Sequence, residues 1–270
     1  MAGEGRHTPR KRFGQHFLTD PAILGRIVDA LAPEPSDTVV EIGPGRGALT
    51  DLLSPRCGRL IAVEIDRDLV KQLREKYDEG SRVEIVEGDA LETDWTAISG
   101  RSYLLAGNLP YYITTPLIFR ILENPRPQRA ALLVQREVAA RLVAAPASDD
   151  YGALTVNVQV TAAVKVVAKV SAGAFHPRPK VDSSIVLLTP LADQSLGPEE
   201  EDAFRRFVQA AFGMRRKTLL RIMRELWIPD AGKASEILAS LGLEPSMRPE
   251  VLSPPDFVQL FRAKDRNQKN

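Results

Sequence analysis

The stretch TVVEIGPGRG, residues 38–47, decides the fold class of this chain. Its first half is apolar and β-branched, as in a buried strand, and its second half carries Gly43, Gly45 and Gly47. Glycine accepts positive φ angles and has no side chain, so a turn of this composition lets the backbone approach a ligand closely. The spacing G-x-G-x-G is not the G-x-G-x-x-G of dinucleotide-binding proteins, and the turn alone is only a weak sign of a cofactor site.

Short apolar runs and amphipathic segments alternate on the C-terminal side of this stretch. The further strand-like runs are RLIAVEI (59–65), RVEIVEG (82–88), YLLAG (103–107) and AALLVQ (130–135). The segments between them have the spacing of amphipathic helices, and Thr19 or Asp20 caps an earlier helix that begins at Pro21. This alternation predicts an α/β fold in which helices cover both faces of a mostly parallel sheet.

The second half of the chain is harder to assign. Residues 151–170 are β-branched and predict strand throughout, or a helix followed by a strand, whereas the proline-rich loop 171–182 suits neither element. A linker and four segments of helical periodicity follow, and they predict a small helical domain. We therefore expect a large first domain of residues 1–190, with a basic arm over 1–18, and a small helical domain of residues 191–270.

Composition places the chain among globular proteins. It has 270 residues, of which 44% are hydrophobic and 26% charged, enough for one large and one small domain. The N-terminus is polar and basic, and no apolar run is long enough to cross a membrane, so we expect a cytoplasmic protein. We also expect a monomer. A single cysteine, Cys57, and three scattered histidines predict neither a disulfide nor a metal site.

The net charge of +1 hides two clusters of cations. No acid interrupts the run between Phe204 and Arg224, and the N-terminal stretch has only Glu4 against its basic residues. Either cluster alone could be a solvated helix face, but two of them in a near-neutral chain indicate a phosphate-rich partner. The residues that we expect to bind this partner are Arg10, Lys11, Arg12, Arg215, Arg216, Lys217 and Arg221.

Polar residues stand at the ends of three predicted strands. Glu64 ends the second strand about 20 residues after Gly43, where an acidic side chain accepts hydrogen bonds from ribose hydroxyls. Asp89 follows the third strand and suits an adenine amino group, and Asn108 follows the fourth. Each alone could be a cap, a turn residue or a solvated side chain. Because the carboxyl ends of parallel strands form one crevice, the set predicts a cofactor that contains a nucleoside.

Several motifs carry a resemblance to known families. The ordered motifs E-x-G-x-G-x-G, VEID, EGDA and NLPY resemble those of class I S-adenosylmethionine-dependent methyltransferases, and NLPY resembles the motif of enzymes that methylate an exocyclic amine on a base. The segments KRFGQHFLTD, NLPYYITTP, FHPRPKVDSSIV, FGMRRKTL and RPEVLSPPDFVQL are similar to the family of small-subunit ribosomal RNA adenine N6,N6-dimethyltransferases. They span nearly the whole chain. The resemblance implies a doubly wound, seven-stranded Rossmann-like sheet with a helical C-terminal domain.

The resemblance also implies a set of residues that bind the cofactor, S-adenosyl-L-methionine. They are Gln15, His16, Leu18, Gly43, Gly45, Glu64, Ile65, Asp89, Ala90 and Asn108. Two positions depart from the family's pattern. His16 stands where asparagine is frequent, which puts its contact in question, and Tyr112 stands where the motif commonly continues as NLPYN.

The catalytic residues implied by the resemblance are Asn108, Leu109, Pro110, Tyr111 and Phe175. The N6 amine of adenine is a poor nucleophile because its lone pair is delocalised into the ring. If the Asn108 side-chain oxygen and the Leu109 carbonyl accept its two N–H groups, the lone pair is directed at the methyl group and positioning does most of the work. Tyr111 and Phe175 would hold the unstacked adenine, although Phe175 could instead be a core ring.

The implied function is methylation of the N6 amines of two adjacent adenosines in the 3′-terminal hairpin loop of 16S rRNA, during small-subunit biogenesis. The partner would be the rRNA of the immature small subunit. One alternative is a large-subunit rRNA adenine methyltransferase of the antibiotic-resistance type, whose motifs are close. Another is a nucleic-acid-binding or assembly factor without catalytic activity on the same fold, against which the intact set Glu64, Asp89 and Asn108 argues.

Overall fold

The structure is a computed structural model that describes residues 15–78, 80–100, 102–193 and 195–268, with side chains up to Lys264. The arm cations Arg10, Lys11 and Arg12 lie outside the described residues. No helix within these ranges is both long and apolar enough to cross a membrane. No group of three or more His, Cys, Asp or Glu side chains in the same ranges is arranged to hold a metal ion.

Seven strands form one sheet. They are β2 (Thr38–Ile42), β3 (Arg59–Glu64), β4 (Val83–Glu87), β5 (Leu104–Asn108), β6 (Ala130–Gln135), β7 (Ala162–Val170) and β9 (Ser183–Pro190). The order is β4-β3-β2-β5-β6-β9-β7, in which β2 to β6 are parallel and β9 runs antiparallel to β6. The predicted fold class, a mostly parallel seven-stranded sheet with helices packed around it and a helical C-terminal region, is confirmed.

Eleven α-helices occur in the described part of the chain. They are α1 (Pro21–Leu31), α2 (Thr50–Leu53), α3 (Arg67–Lys76), α4 (Trp95–Ser99), α5 (Thr114–Ile121), α6 (Arg136–Leu142), α7 (Ala153–Gln159), α8 (Glu201–Gly213), α9 (Leu219–Leu226), α10 (Ala231–Ser240) and α11 (Pro254–Gln268). The start of α1 follows the sequence prediction, because Asp20 Oδ1 accepts hydrogen bonds from the amides of Ala22 and Ile23. Its apolar face packs in the core with β2, β5 and β6.

The ambiguous segment 151–170 is a helix followed by a strand, so α7 takes the first part and β7 the second. Thr155 stabilises the helix start, since its hydroxyl oxygen accepts from Gly152 N at 3.2 Å and the hydroxyl donates to Arg141 O at 2.6 Å. The proline-rich loop after β7 also holds a two-residue strand, β8 (Phe175–His176), which pairs with β1 (Phe17–Leu18). Strands this short have no periodicity that a sequence pattern could reveal.

The chain forms two compact units. Of the described residues, the first contains those up to Ala139 together with Val164–Pro190, and the second contains Ala140–Ala163 and those from Leu191 onward. The sequence predicted that 140–163 belong to the first domain, and the structure groups them with the C-terminal helices.

Hydrogen bonds and a shared core explain this grouping. The hydroxyl of Tyr151 donates to Leu252 O at 2.6 Å, and Ala147 N donates to Glu250 O at 2.7 Å. Val156 on α7 shares a core with Phe204 on α8. An apolar face of α7 is thus buried against the helices of the second unit.

Candidate active site

The carboxyl ends of β2, β3 and β5 and the loop after β4 line a cavity of about 400 Å³ in the first unit. This volume lies in the range of small-molecule sites, roughly 300–1,000 Å³. All ten residues that the resemblance assigned to the cofactor line it: Gln15, His16, Leu18, Gly43, Gly45, Glu64, Ile65, Asp89, Ala90 and Asn108. Leu109, Pro110 and Tyr111 also line the cavity. Crevice formation at strand ends therefore brings together residues that are distant in sequence.

The glycine-rich turn, residues 43–47, forms one wall of the cavity. Gly43, Gly45 and Gly47 all have positive φ, between +60° and +79°, a region that favours glycine. A Cβ atom at Gly45 would lie 2.9 Å from the Phe17 ring, so the first strand of the chain can cover the turn only because this side chain is missing. Because the glycines have no side chains, a ligand in the cavity could approach the backbone of the turn closely.

Glu64 is buried at the end of β3, with 5% of its surface exposed. Its Oε2 accepts a hydrogen bond from Gly45 N at 3.1 Å, and its Oε1 accepts from Asp66 N at 2.9 Å. Burial raises the pKa of Glu64, and the hydrogen bonds from Asp66 N and Gly45 N oppose that rise. Each carboxylate oxygen has a further acceptor position, so the side chain can fix the turn and also accept from a ligand hydroxyl.

Asp89 lies in the loop after β4 and is fixed by local hydrogen bonds. Its Oδ1 accepts from Leu91 N at 2.9 Å, and its carbonyl accepts from the Thr93 hydroxyl at 2.8 Å. Ala90 beside it is buried and also lines the cavity. Asp89 lines the cavity, and its Oδ2 accepts no hydrogen bond from the described residues.

Residues 15–18 line the cavity and are held by side-chain hydrogen bonds and by strand pairing. Gln15 Nε2 donates to Asp66 Oδ2 at 3.0 Å, and His16 Nδ1 donates to the Pro177 carbonyl at 2.7 Å, since a carbonyl oxygen can only accept. The pairing of β1 with β8 places Leu18 opposite Phe175. His16 therefore uses its ring to anchor the segment, and its backbone carbonyl remains available for another contact.

That contact is made by Asn108, at the end of β5. Asn108 Nδ2 donates to His16 O at 2.8 Å, which fixes the orientation of the amide and leaves Oδ1 as an acceptor. The loop that follows is also held, because Leu109 N donates to Leu133 O at 3.1 Å and the Thr114 hydroxyl donates to Pro110 O at 3.0 Å. The NLPY motif thus has a defined geometry, in which Asn108 Oδ1 is available to accept a hydrogen bond.

The two predicted aromatic faces have different environments. Tyr111 is half-buried, its ring stacks on His16 at 5.6 Å between centroids, and its hydroxyl lies 2.8 Å from Ser183 Oγ. Phe175 is only 4% exposed, packs in the core and does not line the cavity. The pairing of β8 with β1 places Phe175 opposite buried Leu18, which favours the alternative of a core ring, and the stacking role of Phe175 stays a prediction.

Tyr112 is the exposed aromatic residue at the cavity, with 57% of its surface accessible. It stands where the motif commonly has asparagine, and the motif predicts no role in binding for a tyrosine at this position. Burial and the charge of Asp89 raise its pKa, so its hydroxyl stays protonated beside the Asp89 loop. Its position follows from the short 3-10 turn at 111–113, which directs consecutive side chains to different sides.

A second carboxyl, Glu41, also lines the cavity and was not assigned a role from the sequence, although it opens the glycine motif. It is 1% exposed, and Thr50 Oγ1 donates to its Oε2 at 2.7 Å. Burial raises the pKa of Glu41 to about 8. The Thr50 hydrogen bond and the charge of Lys76 oppose this rise, and the charges of Glu64 and Asp51 add to it.

The raised pKa predicts a pH dependence of stability. Between the unfolded pKa of 4.5 and about 8, the folded protein keeps a proton that the unfolded chain has released. The free energy of unfolding should therefore fall as pH rises through this window. Glu41→Gln removes this titration and should reduce the fall, as measured by denaturant unfolding at several pH values. Glu92→Gln, at an exposed acid, is the control; parallel curves for Glu41→Gln and the wild type would contradict the assignment.

The basic run of the second unit is partly neutralised by acids from elsewhere in the sequence. Ion pairs join Arg205 to Asp202, Arg215 to Glu250 and Arg221 to Glu225. Arg206, Arg216 and Lys217 are exposed and form no ion pair within the described residues. The sequence between 204 and 224 contains no acid, but the folded protein places a carboxylate beside Arg215 and another beside Arg221, which reduces the positive charge there.

Comparison with known proteins gives consistent similarities. The family profile described as "Ribosomal RNA adenine dimethylase" matches residues 6–265. The protein of Aromatoleum aromaticum named ribosomal RNA small subunit methyltransferase A is 45% identical over 255 residues, 94% of this chain and 93% of that protein.

Two solved structures are also similar. A dimethyladenosine transferase from Plasmodium falciparum aligns with a TM-score of 0.80 at 30% identity, over 94% of this chain and 98% of that chain. The 23S rRNA methyltransferase ErmE aligns with a TM-score of 0.71 at 28% identity, over 92% of this chain and 99% of that chain. The profile match over residues 6–265 and the 45% identity to a relative of nearly equal length show that this chain belongs to the ribosomal RNA adenine dimethylase family.

Proposed function

We propose that this protein transfers methyl groups from S-adenosyl-L-methionine to the N6 amines of two adjacent adenosines in the 3′-terminal hairpin loop of 16S rRNA. The observation that carries the proposal is the Asn108 amide, whose nitrogen is held by His16 O at 2.8 Å so that its oxygen is the available acceptor. It lies in one cavity with Glu64 and Asp89. The family membership gives the reaction class, adenine dimethylation.

The residues present fit the cofactor. Glu64 suits the ribose hydroxyls, Asp89 Oδ2 suits the adenine amino group, and the backbone of the glycine-rich turn leaves room for the methionine portion. S-adenosyl-L-methionine supplies an electrophilic methyl group on a sulfonium. The chain's own contribution on this side is to bind and orient, since the donors and acceptors named above are already fixed by protein hydrogen bonds.

The target adenine would be held on the NLPY side of the cavity. Asn108 Oδ1 and the Leu109 carbonyl accept its two N6–H groups, which localises the nitrogen lone pair and directs it toward the methyl group. No strong general base is needed, because the amine becomes acidic as it is alkylated and its proton can leave to water. Tyr111 offers one ring face, which its contacts with His16 and Ser183 keep in place.

Small-subunit rRNA is the better-supported substrate. Relatives named as small-subunit enzymes reach 45% identity, whereas the 23S rRNA enzyme ErmE shares 28%. The purified protein should therefore incorporate tritiated methyl groups into undermethylated small subunits and not into large subunits. Mass spectrometry of the rRNA should find N6,N6-dimethyladenosine at two adjacent positions. Labelling of large subunits instead would favour the alternative, and labelling of neither would favour a binding factor.

We further propose that the second unit contacts the particle through its exposed cations. Arg216 and Lys217 are the strongest candidates, because Arg215 and Arg221 are already paired with acids. Arg10, Lys11 and Arg12 stay predictions. In the same proposal, the first unit binds the cofactor and performs the chemistry, and the helical unit binds the RNA.

The double reversal Arg216→Glu with Lys217→Glu should weaken particle binding. Phosphate binding releases counterions, so the slope of log affinity against log salt should decrease by about one for each phosphate that the variant no longer binds. Filter binding of small subunits across a salt series measures both effects. Reversal of Arg141 and Lys233, two exposed cations of the same unit outside the run, is the matched control. Equal slopes for the two double variants would mean that Arg216 and Lys217 are solvated surface residues.

A further inference from the structure

A tyrosine that follows α3 contacts the outer side of the glycine-rich turn. The hydroxyl of Tyr77 lies 2.7 Å from Asp51 Oδ1 and 3.2 Å from Gly47 O, so the two acceptors share its single proton. A Cβ atom at Gly47 would lie 2.6 Å from that hydroxyl. The turn therefore approaches the tyrosine so closely that only glycine fits between them.

The contact is part of a small cluster, which we call the Tyr77 clamp: Gly47, Asp51, Lys76 and Tyr77. Asp51 lies in α2, directly after the turn, and its amide donates to Gly47 O at 2.9 Å. Lys76 Nζ binds Asp51 Oδ2 at 2.6 Å and lies 5.2 Å from the centre of the Tyr77 ring. The clamp thus connects the end of α3 to Gly47, the last residue of the turn, and to Asp51 in the helix that follows it.

The turn needs such support, because three of its five residues have positive φ and none of those three has a side chain that could hold it. On its inner side it is fixed by Gly45 N, which donates to Glu64 Oε2, and by Gly43 N, which donates to Val63 O at 3.0 Å. Tyr77 supplies the side-chain contact on the outer side. Without this contact the turn would be less ordered in the free protein. Ligand binding would then have to order it, and the free energy that this costs would lower the affinity for the ligand.

We propose that Tyr77 is a positioning residue for the cofactor, which acts through Gly47 and holds the glycine-rich turn in its binding conformation. This inference rests on the proposed function, because it requires that the turn binds S-adenosyl-L-methionine. Burial, together with the Asp51 carboxylate, raises the pKa of Tyr77, so the hydroxyl remains a donor at working pH. Asn108 is held separately by His16, so methyl transfer by the loaded enzyme should not depend on Tyr77.

The test is Tyr77→Phe, which removes one oxygen and keeps the ring. Its matched control is Tyr103→Phe, since Tyr103 is a buried tyrosine of the same unit whose hydroxyl donates to Pro125 O at 3.3 Å, away from the cavity lining. The dissociation constant for S-adenosyl-L-methionine, by calorimetry, should rise about three- to tenfold for Tyr77→Phe, as expected when one hydrogen bond is removed, and should not change for Tyr103→Phe. The turnover number at saturating cofactor should stay within about twofold.

The outcomes distinguish a failure of the proposed function from a failure of the positioning role alone. If the wild type does not bind S-adenosyl-L-methionine, the proposed function fails. If the wild type binds it and Tyr77→Phe matches Tyr103→Phe, only the positioning role fails. Asp51 Oδ1 is the nearer acceptor and holds the Tyr77 hydroxyl beside Gly47, so Asp51→Ala should release the clamp and raise the dissociation constant as well. This variant decides the matter if Tyr77→Phe does not fold, and normal affinity in folded Asp51→Ala would then overturn the proposal.

Discussion

Asn108→Ala should reduce methyl transfer by a factor on the order of a hundred or more, while binding of the ribosomal particle persists. The wild-type amide is oriented by His16 O and keeps its oxygen as an acceptor, so under the proposed mechanism alanine removes a preorganised contact to the reacting amine. Under the proposed function, particle binding depends mainly on the exposed cations and not on Asn108. Tritiated methyl incorporation into undermethylated small subunits, measured beside a pull-down of the same particles, tests both parts.

Asn108→Asp sharpens this test. An aspartate oxygen in place of Nδ2 would face the His16 carbonyl oxygen, so the side chain would lose its orienting hydrogen bond although it keeps acceptors for the amine. Transfer should therefore fall in this variant as well. If Asn108 were only a turn residue, activity in both variants would follow the folded fraction. A folded Asn108→Ala protein with near-normal transfer would disprove the mechanism.

The parts of the fold that the sequence predicted are those with strong periodicity or distinct local signals. The strands β2 to β6 are short, apolar and separated by amphipathic helices, and α1 begins at Pro21 after the Asp20 cap. Such patterns reflect burial and hydrogen bonding within a few residues, which a sequence shows directly. The polar strand ends were predictable for a related reason, since parallel topology alone brings them to one edge of the sheet.

The parts that the sequence did not predict depend on contacts between distant residues. Phe175 packs in the core because β8 pairs with β1, more than 150 residues away in sequence, and two-residue strands have no pattern. Arg215 and Arg221 are paired with acids that lie outside the basic run. Glu41 was visible as the first residue of the glycine motif, but its burial and its bond with Thr50 depend on the folded sheet.

Glu64→Ala should weaken S-adenosyl-L-methionine binding by about 1–3 kcal/mol, the range for polar groups that lose a partner. The structure adds a less obvious expectation for Glu64→Gln. Both carboxylate oxygens accept backbone N–H groups, from Gly45 and from Asp66, so a glutamine must place its NH2 group against one of these donors. The glutamine variant should therefore bind the cofactor no better than the alanine variant, although glutamine has nearly the same shape as glutamate.

The matched control is Glu87→Gln, because Glu87 stands directly opposite Glu64 in the pairing of β3 with β4, is exposed, and forms an ion pair with Arg67 at 2.8 Å. Calorimetric titration of all three variants should show normal affinity for Glu87→Gln and reduced affinity for both substitutions at Glu64. Circular dichroism should show that the folds persist, since the sheet core around β3 is apolar. Unchanged affinity in Glu64→Ala would remove this residue from the site. Full affinity in Glu64→Gln alone would mean that a carboxyl is not required to fix the glycine-rich turn, and that the ribose needs only one side-chain oxygen.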